Sequence, residues 1–120
     1  MACDWREFLE LAKSLAGQTG ASFSEEAAQR GAVSRAYYAA FCWARRYAEQ
    51  SLGFRSTGRG QDHKRLREYL QRAGKGGLAA RLNRLRGWRN ACDYQDTVPG
   101  LQQTVRSSIS QAEKAIQECV

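Results

Sequence analysis

The chain has 120 residues, 42% hydrophobic and 26% charged with a single proline, a profile that fits one globular domain with its own core and excludes a disordered or fibrous polymer. Its net charge of +7 is unevenly spread: eleven Lys and Arg fall between Arg55 and Arg89 against only Asp62 and Glu68, a local balance of +9 that leaves about −2 elsewhere. One-sided clustering of this kind is the electrostatic footprint of a surface that docks polyanions, whereas solubility alone does not require it.

The first residues place Asp4 and Trp5 where a secretory signal would carry a basic stretch and an apolar run, and no apolar run approaches the roughly 20 residues needed to cross a bilayer. A cytoplasmic protein with no membrane partner is therefore expected. Cys3, Cys42, Cys92 and Cys119 lie far apart, without a Cys-x-x-Cys pair and with one histidine, His63. That pattern argues against a zinc site and for reduced thiols, with Cys42 and Cys92 as small packing residues. No metal or other cofactor is expected.

Asp4 and Glu7 have the spacing of a capping box, and Trp5, Phe8, Leu9, Ala12 and Leu15 share one face, predicting a first helix over about 4–16 that the 17–20 segment, with glycines at both ends, terminates. Ser24 caps a second helix over about 24–51, with Glu25 and Glu26 in its first turn and Val33, Ala36, Tyr37, Ala40, Phe41, Ala44, Tyr47 and Ala48 inward. At 1.5 Å per residue it is about 40 Å long, enough for a spine. The stretch Gly53 to Gly60 reads as a flexible basic loop. Gly53 and Gly58 have P-loop spacing, but Arg59 and Gly60 stand where lysine and Ser or Thr belong, and a helix precedes them, so the motif is dismissed. Asp62 caps a third helix over 63–72 with Leu66, Tyr69, Leu70 and Ala73 inward. A fourth, over about 78–92, sets Leu78, Leu82, Leu85, Arg89 and Cys92 along one stripe. Arg89 thus continues a row of core leucines, a costly place for a guanidinium unless a carboxylate or ligand satisfies it, and Asp93, one turn on, is the nearest partner. A last helix after Gly100 buries Leu101, Val105, Ile109, Ala112 and Ile116. The expected fold class is all-α, an antiparallel bundle of about five helices in one domain over 1–120.

Two segments carry more polar and aromatic groups than a plain bundle needs, Ser34-Arg35-Ala-Tyr37-Tyr38-Ala-Ala-Phe41 in the second helix and Trp88-Arg89-Asn90-Ala-Cys92-Asp93-Tyr94 near the end of the fourth, and His63-Lys64 follows the glycine-rich loop. In content and order they resemble the HEPN family, small helical domains found alone in prokaryotes and fused to larger proteins elsewhere. The likeness runs from Trp5 to about Ile116. It implies a HEPN-like bundle, commonly a homodimer, encoded beside a small nucleotidyltransferase or in toxin–antitoxin and defence loci. Catalytic members of that family are metal-independent endoribonucleases whose motif is an arginine, a polar residue and a histidine one to two turns on. Arg89 and Asn90 match its beginning. Tyr94 occupies the histidine's place, and a tyrosine with its ordinary pKa of about 10 is a poor general base, although it can position a phosphate or donate a hydrogen bond.

Arg89, Asn90 and Tyr94 are accordingly the candidate catalytic residues, and Arg35, Tyr38, His63, Lys64, Arg86 and Asp93 the candidate binding residues. His63, at a helix start beside Lys64 and Arg65, is expected to resist protonation and to reach a phosphate. Tyr37 is expected in the core, and Tyr38 on a neighbouring helix or a partner subunit. Three functions fit: a module that binds RNA or a nucleotide in a basic groove, an endoribonuclease with His63 or Tyr94 in place of the lost histidine, and a dimerising helical adaptor. Trp43, Tyr38 and Trp88 are more aromatic surface than a small bundle easily hides, which predicts a homodimer.

Overall fold

Of the five helices in the computed structural model, which describes residues 3–18 and 24–120, the longest is enclosed on nearly every side. In chain order the helices are α1 (Arg6–Ala16), α2 (Glu25–Ser51), α3 (Asp62–Arg72), α4 (Gly76–Tyr94) and α5 (Leu101–Gln117), with no strand among the described residues. Helix α2 packs against all four others. Its composition explains why: Ala28, Ala32, Ala36, Ala39, Ala40, Ala44 and Ala48 are all buried, spread around the helix rather than along one stripe. Alanine is the strongest helix former and has no long side chain, so neighbours can close on α2 from several directions. The larger side chains Val33, Tyr37 and Phe41 fill the space between.

Helix directions follow from the contacts. Arg46 donates to the Cys3 carbonyl at 2.6 Å, and Leu15 lies beside Gly31, so α1 runs antiparallel to α2. Helix α4 does the same, with Arg30 reaching Cys92 and Gln95 while Arg89 reaches Tyr38. One connection departs from the expected antiparallel order, that from α2 to α3, while α4 and α5 each reverse the helix before them. Val33 packs in one cluster with Val105 while the Tyr47 hydroxyl donates to the Val120 carbonyl, so α5 runs parallel to α2. His63 meets Tyr37 while Tyr69 donates to the Leu52 carbonyl, so α3 is parallel to α2 as well. The physical reason lies in the loop from Leu52 to Gln61: it is long enough to carry the chain back along α2 before α3 begins, whereas the three residues after Arg72 only permit an antiparallel return.

Local signals were met unevenly. The Ser24 hydroxyl accepts the Ala27 N–H at 3.1 Å, a cap worth about 1 kcal/mol. The Asp4–Glu7 capping box does not form: Asp4 accepts the Arg6 N–H at 3.1 Å and pairs with the Arg6 side chain, leaving nothing for Glu7 to answer. Asp62 does not cap its own helix. Its carboxylate turns back to accept the Thr57 and Gly58 N–H groups and the Thr57 hydroxyl, and it pairs with Arg65 at 2.9 Å. The loop expected to be flexible is thereby pinned. Gly53 leaves α2 at φ +79°, and a Cβ there would sit 3.3 Å from the Tyr69 hydroxyl, so the turn needs glycine on both counts. Ala73, expected inward, is exposed because α3 has already ended at Arg72. On α5 the buried row is Val105, Ser108, Ala112 and Ala115, with Leu101, Ile109 and Ile116 at its flanks. The expected role of the 17–20 segment falls partly on residues outside those described.

Candidate functional site

Where α2, α3 and α4 meet, three of the eleven clustered Lys and Arg, Arg67, Arg86 and Arg89, converge with His63 and the tyrosines of α2. His63, the second residue of α3, stacks on Phe41 at 3.9 Å between ring centroids, and its Nδ1 is hydrogen-bonded to the Tyr37 hydroxyl. Tyr37 is thus a core residue, as expected, but one whose hydroxyl serves the site. Burial pushes the Tyr37 phenol up to about 12, against the opposing pull of Arg67, Arg89 and Arg86. It therefore keeps its proton. With His63 as the only partner of that hydroxyl among the described residues, the satisfied arrangement has Tyr37 donating to Nδ1 and the imidazole carrying its proton on Nε2.

His63 resists protonation, but not because of its neighbours in sequence. Burial is the first cause, followed by repulsion from Arg89 and Arg67, then Arg86, with Asp62 opposing. A ring in the field of three guanidinium groups lies where an anion would be welcome.

Arg89 is held from behind. Its Nε lies 2.8 Å from Asp93 Oδ2, without the alignment of a hydrogen bond, and Asp93 Oδ1 accepts the Ser34 hydroxyl at 2.5 Å. Asp93 is thus occupied on both oxygens and positions Arg89 against α2. The outer edge of the guanidinium is loosely held, with Nη1 to Asn90 Oδ1 and Nη2 to the Tyr38 hydroxyl both at 3.5 Å, beyond the 2.7–3.2 Å of a firm bond. The Arg89 and Arg35 guanidinium groups lie 5.5 and 5.6 Å from the centroid of the Tyr38 ring.

Arg67, one turn beyond His63, completes the cluster. Its Nη1 is buried without a hydrogen-bond partner, and burial, then the charge of Arg86, makes its protonated form less favourable than usual. Neither Arg67 nor Arg86 forms an ion pair among the described residues. A buried unpartnered guanidinium nitrogen is costly, and a phosphate oxygen would satisfy it.

Of the residues expected from sequence, Arg35, Tyr38, His63, Arg86, Arg89, Asn90 and Asp93 come together. Lys64 and Tyr94 stand apart. The Lys64 side chain is 76% exposed, with its ammonium 3.8 Å from the Glu68 carboxylate, and Tyr94, at the last turn of α4, is 74% exposed. Arg67, Ser34 and the Tyr37 hydroxyl were not among the expected site residues. Only Arg67 had a usable signal: it lies four residues after His63, on the same face, within the basic run. The aromatic argument for an interface also changes, since Trp43, Tyr38 and Trp88 are partly buried in their own chain. Trp43 carries the Arg6 guanidinium 4.9 Å over its ring, and Tyr38 and Trp88 pack against the core. The large apolar side chains exposed among the described residues are Leu11, Tyr94 and Val120.

Cys42 and Cys92 are buried, with their thiols raised above the ordinary value by burial, as packing residues rather than nucleophiles. No cluster of metal-binding side chains occurs among the described residues, and none of the helices is long and apolar enough to cross a membrane. No family model, curated protein or solved structure matches this chain.

Proposed function

We propose that this chain is a HEPN-like helical domain that binds RNA or a nucleotide through the phosphate, at the surface where His63 lies in the field of Arg67, Arg86 and Arg89. The observation that carries the reading is the buried, unpartnered Nη1 of Arg67 beside two further arginines, with Asp93 as the only carboxylate paired inside the cluster. Such a site is electrostatically incomplete without an anion. The resemblance, rather than the cluster, carries the setting: a homodimer in a toxin–antitoxin or defence locus, working with a partner such as a nucleotidyltransferase.

A second reading, a metal-independent endoribonuclease, is favoured by one observation. His63, not Tyr94, shares the cluster with Arg89, so a proton-transfer group and a charge-stabilising group are neighbours. The tautomer limits this reading. With Nδ1 accepting from Tyr37, the neutral ring offers Nε2–H as a hydrogen-bond donor to a phosphate oxygen but has no free nitrogen to accept a proton, and only its protonated form could act as an acid.

Incubating the protein with mixed RNA in chelator separates the two. The binding module retains intact RNA, and Arg89→Ala weakens retention with the helical circular dichroism unchanged. Cleavage that persists in chelator and disappears in both Arg89→Ala and His63→Ala would establish the ribonuclease. Loss of fold or of the dimer in Arg89→Ala, with no RNA bound by the wild type, would leave a helical adaptor.

A further inference from the structure

The arginine cluster opens at one side into a groove of about 420 Å3 between α3 and α4, with Arg67, Gln71 and Arg72 on one wall and Ala79, Ala80 and Asn83 on the other. Its size lies within the about 300–1,000 Å3 of ordinary ligand sites. Arg67 belongs to both places, since it lines the groove while its charge acts on His63 and Tyr37. Glu68 also reaches the groove, but Arg72 and Lys64 lie 3.7 and 3.8 Å from its carboxylate, so the net field there stays positive. The buried Ala79 gives an apolar floor, and Ala80 lies at the exposed rim. Gln71 and Asn83 make no side-chain hydrogen bond among the described residues, leaving two amides, each with donors and an acceptor, over that floor. The Gln71 amide lies against Gly76, where an added Cβ would come within 3.2 Å of it.

A phosphate alone needs none of this. Guanidinium groups in series, free amides and an apolar floor match the repeating phosphate, base edge and base face of a nucleic acid strand. From Ala79 to Arg89 the helix advances about 15 Å, which is about four nucleotides at 3.4 Å each in a stacked strand. Resting on the phosphate-binding reading above, we infer that the groove between α3 and α4 holds further nucleotides of a single strand anchored at Arg67 and Arg89, making the ligand an oligonucleotide rather than a mononucleotide.

Fluorescence anisotropy with fluorescein-labelled uridine ribonucleotides of one, four and eight residues tests this against Ala80→Glu, which sets a carboxylate on the exposed rim of the groove. The four-residue probe should bind wild-type protein about tenfold or more tightly than the single nucleotide, as one added charge-assisted contact requires. The eight-residue probe should add little. Ala80→Glu should erase the gain while leaving the single nucleotide unaffected, and Asn83→Ala, also exposed, should reduce it. Equal affinity for one and four residues, or a gain that survives both substitutions, overturns the groove and leaves the phosphate site standing. Failure of every probe to bind the wild type overturns both.

Discussion

Arg30 and Arg67 both direct a guanidinium inward from a helix, and their surroundings differ in kind. Arg30, on α2, spreads its donors over the C-terminal end of α4: Nη1 reaches the Cys92 and Gln95 carbonyls at 2.9 and 2.6 Å, and Nη2 the Asp96 carbonyl at 2.9 Å. These are the carbonyls that a helix end leaves without partners, and a cation there also meets the negative end of the helix dipole. Arg67, on α3, buries one nitrogen with no partner and lies in the field of Arg86. The same side chain completes the fold in one place and leaves it incomplete in the other. Satisfaction of donors, not burial or charge alone, separates an arginine that holds the bundle from one that awaits a ligand.

The comparison breaks most visibly at Arg30. Arg30→Ala removes three charge-assisted bonds and should lower stability by about 2–3 kcal/mol in urea unfolding, while RNA affinity measured well below the transition stays within twofold. Arg67→Met should behave in the opposite way. An apolar side chain of similar length removes a buried charge without a partner, so stability should hold or rise, while affinity for single-stranded RNA should drop about tenfold. If Arg67→Met proves as destabilising as Arg30→Ala, the two arginines are alike and the contrast fails.

A third effect follows from His63. Its pKa in the fold is lowered from 6.5, so the unfolded chain binds more protons as pH falls through about 6.5, and stability declines from there until the folded form is protonated too. His63→Gln should flatten that slope. A bound phosphate reverses the repulsion of Arg89 and Arg67 and favours the charged ring, so RNA affinity should rise as pH falls from about 7.5 towards 6 and the rise should vanish in His63→Gln. The smallest effect belongs to Lys64, whose exposed pair with Glu68 is worth about 0–1 kcal/mol. Lys64→Ala should leave the unfolding midpoint nearly unchanged.

Helix existence was legible because local signals and periodicity agreed: Ser24 caps α2, and the leucine stripe of α4 is buried as its spacing requires. Directions were less so. Nothing local to the 52–61 stretch says that it doubles back to lay α3 parallel to α2, or that the Asp62 carboxylate turns into the loop to pin it. Burial would raise that carboxyl, yet the Thr57 hydroxyl and N–H, the Gly58 N–H and Arg65 prevail and hold it at about 2. Within the site, the pairing of Arg89 with Asp93 could be read from a spacing of four on a helix. The bond from Tyr37 to His63 could not, because it joins residues on two helices whose relative placement sequence does not state. Tyr94 shows the converse: alignment put it in a catalytic place, while one residue beyond Asp93 it turns about 100° away from the face that Arg89 and Asp93 share.

The salt dependence of single-stranded RNA binding tests the central claim most directly. Each phosphate neutralised lowers the slope of log affinity against log salt by about 0.7 for a single strand, so Arg67, Arg86 and Arg89 together predict a wild-type slope of about −2 or steeper. Arg67→Met should make it shallower by about 0.7. A wild-type affinity that does not respond to salt, or a slope that Arg67→Met leaves unchanged, would contradict the assignment of these arginines to a phosphate-binding site.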